Sequence, residues 1–309
     1  MYKYVIKRVL FSIPVLLGAI FMVFTIMYFS PGDPGSIILG MTAKKADIAA
    51  LNHQLGVDRP FFVQFFSYLK NMLHGDFGVS YRNQRPVFEE IINRFPNTFI
   101  LAFWSMILST IVGTVFGIIS AVRQYSVLDT TLTTIAMFLS AFPGFWLGLM
   151  LMLVFSLHLG WLPSSGIDSW KSYVLPVLTL TLGGSAPTMR LTRATILETI
   201  RADYIRTARS KGAPEKVVVW KHALKNALLP LVTSLGMGFG ASLGGAVIIE
   251  TVFGMPGLGR LTVTAIREQD TPTVMAATLF LAVLFLAIML LVDILYAYID
   301  PRIKAKYKS

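Results

Sequence analysis

Long apolar stretches without a charged residue recur along the chain and determine its architecture. A helix needs about 20 apolar residues to cross the hydrocarbon of a bilayer, and each stretch approaches or exceeds that length. Transmembrane strands would alternate between apolar and polar positions, and these stretches are continuous. The pattern predicts an all-α integral membrane protein with six transmembrane helices. The stretches cover residues 9–29, 98–122, 130–157, 172–189, 227–249 and 273–292.

Composition and charge agree with this prediction. Apolar residues make up 55% and charged residues 14% of the chain, whereas soluble domains carry about 25% charged residues. A net charge of +11 could indicate a nucleic-acid partner, but the position of the charge argues otherwise. If the N-terminus is cytoplasmic, the inner segments hold 17 of the 27 Lys and Arg residues. This bias predicts that both termini are cytoplasmic, and it argues against a nucleic-acid partner.

The longest outer segment, residues 30–97, separates the first two spans. Signals for helix ends predict one helix from Ala43 to Leu55, capped by Thr42 and ended by Gly56. They predict two more over residues 60–73 and 86–95. The aromatic side chains indicate that this segment lies on the membrane surface or packs on itself. A lid over the spans is favoured over a dedicated ligand-binding domain. The aromatic residues are Phe61, Phe62, Phe65, Phe66 and Tyr68.

The inner loop over residues 190–226 carries nine basic residues, so it is predicted to lie in the cytoplasm. Apolar or small residues recur every four positions from Ile196 to Ala208, as in an amphipathic helix. Gly212 tolerates a positive φ and is expected to end this helix. Pro214 and Glu215 suit the first turn of a second helix. Residues 217–220 then either pack under the bundle or insert into a groove on a partner protein.

Sites for covalent or metal chemistry are not expected. The chain has no cysteine, and its four histidines lack ligand spacing. It contains no G-x-x-x-x-G-K-[ST] motif, so it is expected to bind no nucleotide itself. The sequence also lacks a nucleophile–base cluster of the kind that a membrane-embedded enzyme would need. The apolar stretches contain no ionisable residue, which argues against an ion-coupled secondary transporter, the main alternative. A scaffold that merely anchors other subunits is a further alternative.

A stripe of small residues in the fifth stretch is the strongest packing signal. Gly236, Gly240 and Gly244 recur every four residues, a spacing that lets helices approach closely. The stripe is expected to pack within the bundle, and the alternative is a face against a second subunit across a substrate path. Prolines at positions 143, 176 and 187 interrupt the third and fourth stretches.

The inner loop also resembles a known motif. Its sequence Asp-Tyr-Ile-Arg-Thr-Ala-Arg-Ser-Lys-Gly-Ala-Pro at 203–214, continuing to Pro230, is similar to the EAA loop of ABC importer permeases. The resemblance is most specific to the B-type subunit of the dipeptide/oligopeptide/nickel branch, and it covers nearly the whole chain. Arg206 and Thr207 depart from the Glu and Ala of the general motif. The other similar segments are 4–8 (Tyr-Val-Ile-Lys-Arg), 31–34 (Pro-Gly-Asp-Pro), 75–78 (Gly-Asp-Phe-Gly), 161–163 (Trp-Leu-Pro) and 250–259 (Glu-Thr-Val-Phe-Gly-Met-Pro-Gly-Leu-Gly).

The resemblance implies a single transmembrane domain over residues 1–309 that imports peptides or a related small solute. Nickel-chelate or glutathione import by the same mechanism is also compatible with it. It implies a second permease, two cytoplasmic ATPase subunits that bind ATP and Mg²⁺, and an external substrate-binding protein. The inner loop would be the coupling helix that contacts the ATPase, and this chain would hold no cofactor. The residues expected at this contact are Tyr204, Ala208, Arg209, Lys211, Gly212, Val218 and Trp220.

Overall fold

The computed structural model describes residues 2–30, 32–40 and 42–299 of the chain, and helices dominate these ranges. The first half contains α1 (Tyr2–Phe29), α2 (Pro34–Leu39), α3 (Lys45–Leu55), α4 (Phe61–Leu73), α5 (Val87–Val122), α6 (Val127–Ala141) and α7 (Gly144–Leu151). A π-helical turn, Met152–His158, extends α7. The second half contains α8 (Val174–Ile200), α9 (Asp203–Ser210), α10 (Glu215–Val217), α11 (Leu224–Val252), α12 (Leu258–Arg267) and α13 (Thr271–Ile299).

The all-α prediction is confirmed, but the count of six crossings is not. Within the described residues, four helical stretches are long and apolar enough to cross a membrane. The third predicted span is a pair of helices, Val127–Ala141 and Gly144–His158, bent by 102°. The bend falls at Pro143, whose ring removes a backbone donor. Counting this pair as one span gives five. The four straight candidates are Ile6–Phe29, Val87–Val122, Pro230–Val252 and Thr271–Ile294.

The outer segment differs in detail from its prediction. The first predicted helix begins at Lys45, so Thr42 is not its cap, while Gly56 ends it in the left-handed region as expected. The second is α4, with Pro60 at its N-cap. The third, over residues 86–95, is not a separate helix because it forms the first turns of α5. The sequence analysis missed the short helix α2, capped by the Asp33 carboxylate.

The chain divides into two compact units, and each has its own core. One unit contains residues Lys7–Thr98 and Pro256–Leu286. In it, α5, α12 and α13 share a buried cluster around Val87, Leu258 and Ala277. The buried Asp270 carboxylate accepts hydrogen bonds from the Tyr81 amide at 3.1 Å and the Thr273 hydroxyl at 2.8 Å. Asp270 therefore ties the loop that precedes α5 to the start of α13.

The other unit contains the start of α1, residues Phe99–Met255 and the C-terminal part of α13. In this unit, α5 and α8 approach each other closely at two glycines that the sequence analysis did not single out. A methyl group on Gly113 would lie 2.6 Å from the Thr188 Cβ, and one on Gly117 would lie 2.6 Å from the Thr192 Cβ. Ser109 faces Gly184 one turn earlier. These small residues let the two backbones approach more closely than larger side chains would allow.

We expect Gly117→Leu to destabilise the protein by about 1–3 kcal/mol, the usual range for overpacking. The Met189 carbonyl oxygen would lie 2.7 Å from the new Cβ, so the backbone itself must move. The measurement is the melting temperature of the purified protein in detergent. Gly18→Leu is the matched control because nothing lies within 4 Å of a Cβ at that position. Equal melting temperatures for the two variants would contradict the close contact.

Candidate coupling hairpin and translocation cavity

The inner loop forms a hairpin on one end of the second unit, which we call the coupling hairpin (residues 201–223). The predicted continuous helix from Ile196 to Ala208 is wrong at one point. Helix α8 ends at Ile200, and α9 begins at Asp203 after the extended residue Ala202. Gly212 follows α9 with φ +79°, which confirms the predicted left-handed turn. The α10 segment is not an independent second helix, because it continues through a π-helical turn, Val218–Ala223, into α11.

The inner face of the coupling hairpin is part of the core. Val218 is fully buried and Val219 is 4% exposed. Both pack in one cluster with Ile205 of α9 and with residues of α5 and α8, and Ala208 packs against that cluster. The predicted partner contact of Val218 therefore needs revision, because this side chain packs inside the chain. Continuous packing across four helices holds the hairpin against the bundle.

The outer face of the coupling hairpin is aromatic and basic. Tyr204 is 44% exposed and Trp220 is 52% exposed. Arg209 donates to the Glu215 carboxylate at 2.6 Å and 3.1 Å across the turn at Gly212. This bidentate hydrogen bonding holds the pKa of Glu215 below its ordinary value. The other exposed cations of the hairpin are Arg201, Arg206, Lys211, Lys216 and Lys221.

An ion pair at the base of the hairpin is the main feature that the sequence analysis missed. Arg193 of α8 donates to the two Asp129 carboxylate oxygens at 2.9 Å and 2.7 Å. Asp129 also accepts hydrogen bonds from the Ser120 hydroxyl and from the Tyr125 amide. The Asp129 side chain is 6% exposed and that of Arg193 is 26% exposed. The cluster fastens α8 to the end of α5 and the start of α6.

The position of Asp129 in this cluster leaves a signal in the sequence. Ser126 caps α6 by accepting a hydrogen bond from the Asp129 amide at 3.2 Å, and a Ser three residues before an acidic residue is typical of helix N-termini. Arg193 offers no such signal, because it lies 64 residues from Asp129 along the chain. The sequence analysis counted Arg193 only as one of the nine basic residues of the loop. The structure shows that Asp129 neutralises it.

A cavity of about 430 Å³ opens within the same unit between α5, α7, α8 and α11. Its polar groups are hydroxyls, including those of Ser109, Thr179, Ser234 and Ser242, and none of the described residues that line it is ionisable. Gly144, Gly183 and Gly238 leave stretches of its wall without a side chain. A surface of this kind can form hydrogen bonds with a polar solute while offering no fixed charge to trap it.

The predicted glycine stripe of α11 does not act as one surface. Gly236 packs against α13, since a Cβ there would lie 3.0 Å from the Met289 sulfur. Gly244 faces open space, with nothing within 4 Å of a Cβ. Gly240 lies between them and is half-buried. Close packing is therefore seen at Gly236 and not at Gly244.

Solved structures identify the class of this fold. The MetNI methionine ABC transporter in inward-facing conformations superposes with a TM-score of 0.58 at 20% identity, covering 70% of this chain and 98% of that one. An amino acid ABC transporter solved with histidines gives a TM-score of 0.54 at 18% identity, covering 68% of this chain and 94% of that one. The fold is that of the membrane subunits of ABC transporters.

Sequence relatives narrow the class to a family. The chain belongs to the binding-protein-dependent transport system inner membrane component family, whose model matches residues 113–305. The model of the N-terminal part of such components matches residues 1–102. The glutathione transport system permease protein GsiC of Escherichia coli strain K12 is 44% identical over 306 residues, which cover 99% of this chain and 100% of that protein. GsiC of Salmonella typhi is equally similar, with the same coverage. The chain is a multi-pass permease subunit of an ABC importer.

Proposed function

We propose that this permease imports a peptide, with glutathione or a similarly small peptide as its cargo. The similarity to glutathione permeases over the full length supports this choice. The uncharged cavity, with hydroxyl groups in a mostly apolar wall, supports it as well, because a path for peptides must accept different side chains and terminal charges. An external binding protein would deliver the cargo and supply most of the selectivity. A nickel chelate is the alternative cargo.

The coupling hairpin would be the surface that docks on the ATPase. The observation that carries this proposal is the division of the hairpin into two faces. Val218 and Ile205 anchor it to the core, while Trp220 and Tyr204 are presented outward within a basic frame. Aromatic residues surrounded by polar groups are typical anchors of protein interfaces. Arg209 and Lys211 would surround the contact, and Gly212 would set its turn.

The assembly would contain a second homologous permease and two ATPase subunits that bind ATP and Mg²⁺. Both termini of this chain would lie in the cytoplasm, because the basic residues concentrate on the side that this orientation makes internal. ATP-driven closure of the motors would push on the hairpin and tilt α8 and α11, which flank it. The domain would extend over residues 1–309, with residues 30–97 outside and 190–226 inside the cell.

We expect Trp220→Glu to weaken ATPase docking strongly. The loss of a tryptophan that becomes buried at a protein interface costs about 2 kcal/mol or more of binding free energy. That energy corresponds to roughly a 30-fold loss of affinity. The measurement is the ATPase activity that co-purifies with the tagged chain from its own membranes. Trp170→Glu is the matched control, because Trp170 is 74% exposed and lies just before the opposite end of α8.

The cargo is tested in proteoliposomes that contain the complete importer and its binding protein. ATP-dependent uptake of radiolabelled glutathione or a dipeptide is expected. Uptake of a nickel chelate alone would replace the peptide proposal by its alternative.

Undiminished co-purification of ATPase activity with Trp220→Glu would contradict the assignment of the docking surface, whatever the cargo.

A further inference from the structure

Helix α4 has three faces, and one of them is strongly apolar yet uncovered by its own chain. The first face packs on α1 and α13 through Phe65, which is 7% exposed. Phe61, Tyr68, Leu69 and Met72 join Phe65 in a cluster with Phe24 and Met275. The aromatic rings interlock, with centroids 5.2 Å apart for Phe24 and Phe61 and 5.3 Å apart for Phe24 and Phe65. Helix α4 is therefore fixed directly against α1.

The second face carries Phe62, Phe66 and Leu73, which are 62%, 63% and 79% exposed. At about 100° of rotation per residue, these three side chains point within about 40° of one another. The face is continuous with the outer surface of α1. The ring of Phe21, a half-exposed residue of α1, lies 5.3 Å from the ring of Phe65, and the Phe65 ring lies 5.6 Å from that of Phe66.

The third face is polar and lines a separate cavity of about 430 Å³ in the same unit. Gln64, Ser67 and Asn71 project from α4 into this space. They lie roughly opposite Phe62 and Phe66 around the helix, at about 140–200° from Phe62. Helix α4 therefore presents its polar side chains to the cavity and its exposed apolar ones to the exterior.

The depth of α4 follows from its contacts with α1. The candidate span Ile6–Phe29 contains 24 residues, about 36 Å of helix, and the hydrocarbon core is about 30 Å thick. Helix α4 packs beside residues 20–28 of α1. Ile20 lies about 13 Å and Phe24 about 7 Å along the helix from Phe29. This part of α1 lies inside the leaflet, so α4 lies at the same depth.

From these observations we propose that α4 is an interfacial helix embedded in the outer leaflet, and that Phe62, Phe66 and Leu73 insert among lipid acyl chains. Its 13 residues are too few to cross the bilayer. Amphipathic helices of this kind bury their apolar face about 5–10 Å into the membrane. The lipid would hold one side of α4 while α1 holds the other. The cavity on the polar side of α4 would then stay open as a lipid-free recess.

Site-directed spin labelling tests this placement directly, because the chain has no native cysteine. Single cysteines replace Phe62, Phe66 or, as the matched control on the polar face, Asn71, and each carries one nitroxide. In liposomes, relaxation at positions 62 and 66 is expected to respond to oxygen and only weakly to water-soluble chromium oxalate. The ratio of oxygen to chromium accessibility should exceed that at position 71 at least several-fold. Leu73 supplies a further label if one of the phenylalanine variants does not fold.

The proposal requires that α1 spans the membrane with its N-terminus in the cytoplasm, as proposed above, and is independent of cargo and ATPase docking. Labels at positions 62 and 66 that are as accessible to chromium oxalate as the label at position 71 would overturn it. Labels accessible to neither reagent in the assembled importer would show that a protein covers this face and would also overturn it. Failure of the Trp220→Glu experiment would leave the accessibility ratios unchanged, so the two proposals fail separately.

Discussion

Replacing Arg193 with methionine is expected to lower the free energy of unfolding by about 3–5 kcal/mol, the range measured when a buried ion pair loses one partner. The Asp129 carboxylate would keep its hydrogen bonds from Ser120 and Tyr125 but lose the only cation that the described residues place on it. The charge would remain in a site where the side chain is 6% exposed. The measurement is the melting temperature of the purified protein in detergent, together with its yield from membranes.

Two further variants test the cause of this effect. Arg190→Met removes an exposed cation from the same helix and should change the melting temperature little. The double variant Arg193→Met, Asp129→Leu removes both charges and should recover most of the loss, because no unpaired charge is left behind. If Arg190→Met and Arg193→Met destabilise equally, the Asp129–Arg193 pair does not carry the stability assigned to it.

Gly212→Val is expected to uncouple ATP hydrolysis from uptake while leaving membrane insertion intact. Gly212 has φ +79°, a conformation that a β-branched residue adopts only with strain. Nothing lies within 4 Å of a Cβ at this position, so the substitution acts on the backbone turn and not on packing. The turn would shift α9 relative to the anchored residues at 218–219 and displace the exposed face from its docking geometry.

The measurement for Gly212→Val is the number of peptides taken up per ATP hydrolysed in proteoliposomes. Gly212→Asn is the matched control because asparagine tolerates the left-handed region better than other non-glycine residues. We expect the asparagine variant to retain most of the coupling ratio and the valine variant to lose most of it. An unchanged ratio in Gly212→Val would show that the turn is not required for coupling.

Local signals in the sequence were sufficient for part of this site. The positive φ at Gly212 follows from residue type and spacing, and the structure places it as expected. For Trp220 the local pattern left burial under the bundle and exposure open, and the structure exposes it. Val218 was expected at the same partner contact as Trp220, but residues two apart lie on opposite sides of a helix. The structure accordingly buries Val218 and exposes Trp220.

Other features depend on contacts that no local pattern records. The pairing of Asp129 with Arg193 joins residues far apart in sequence. The glycines at 113 and 117 have the spacing of a helix-packing motif, yet the denser stripe in α11 gave the stronger signal. The fourth predicted span, in α8, is not among the straight membrane-crossing candidates. Its threonine, serine and glycine residues reduce its hydropathy, and several of them face α5 or the cavity instead of lipid.

The contacts between α5 and α8 also constrain the path of the chain between them. Ser109 faces Gly184, Gly113 faces Thr188, and Gly117 faces Thr192, so both residue numbers increase together and the two helices are parallel. By extrapolation, the start of α8 lies level with residue 99 of α5, about 35 Å from the end of α5 at Val122. The intervening residues must return over that distance. The sharply bent third segment makes much of this return, because Asp129 near its start pairs with Arg193 of α8 and Gly148 further along faces Thr179 of α8. Those two positions on α8 are about 21 Å apart along its axis.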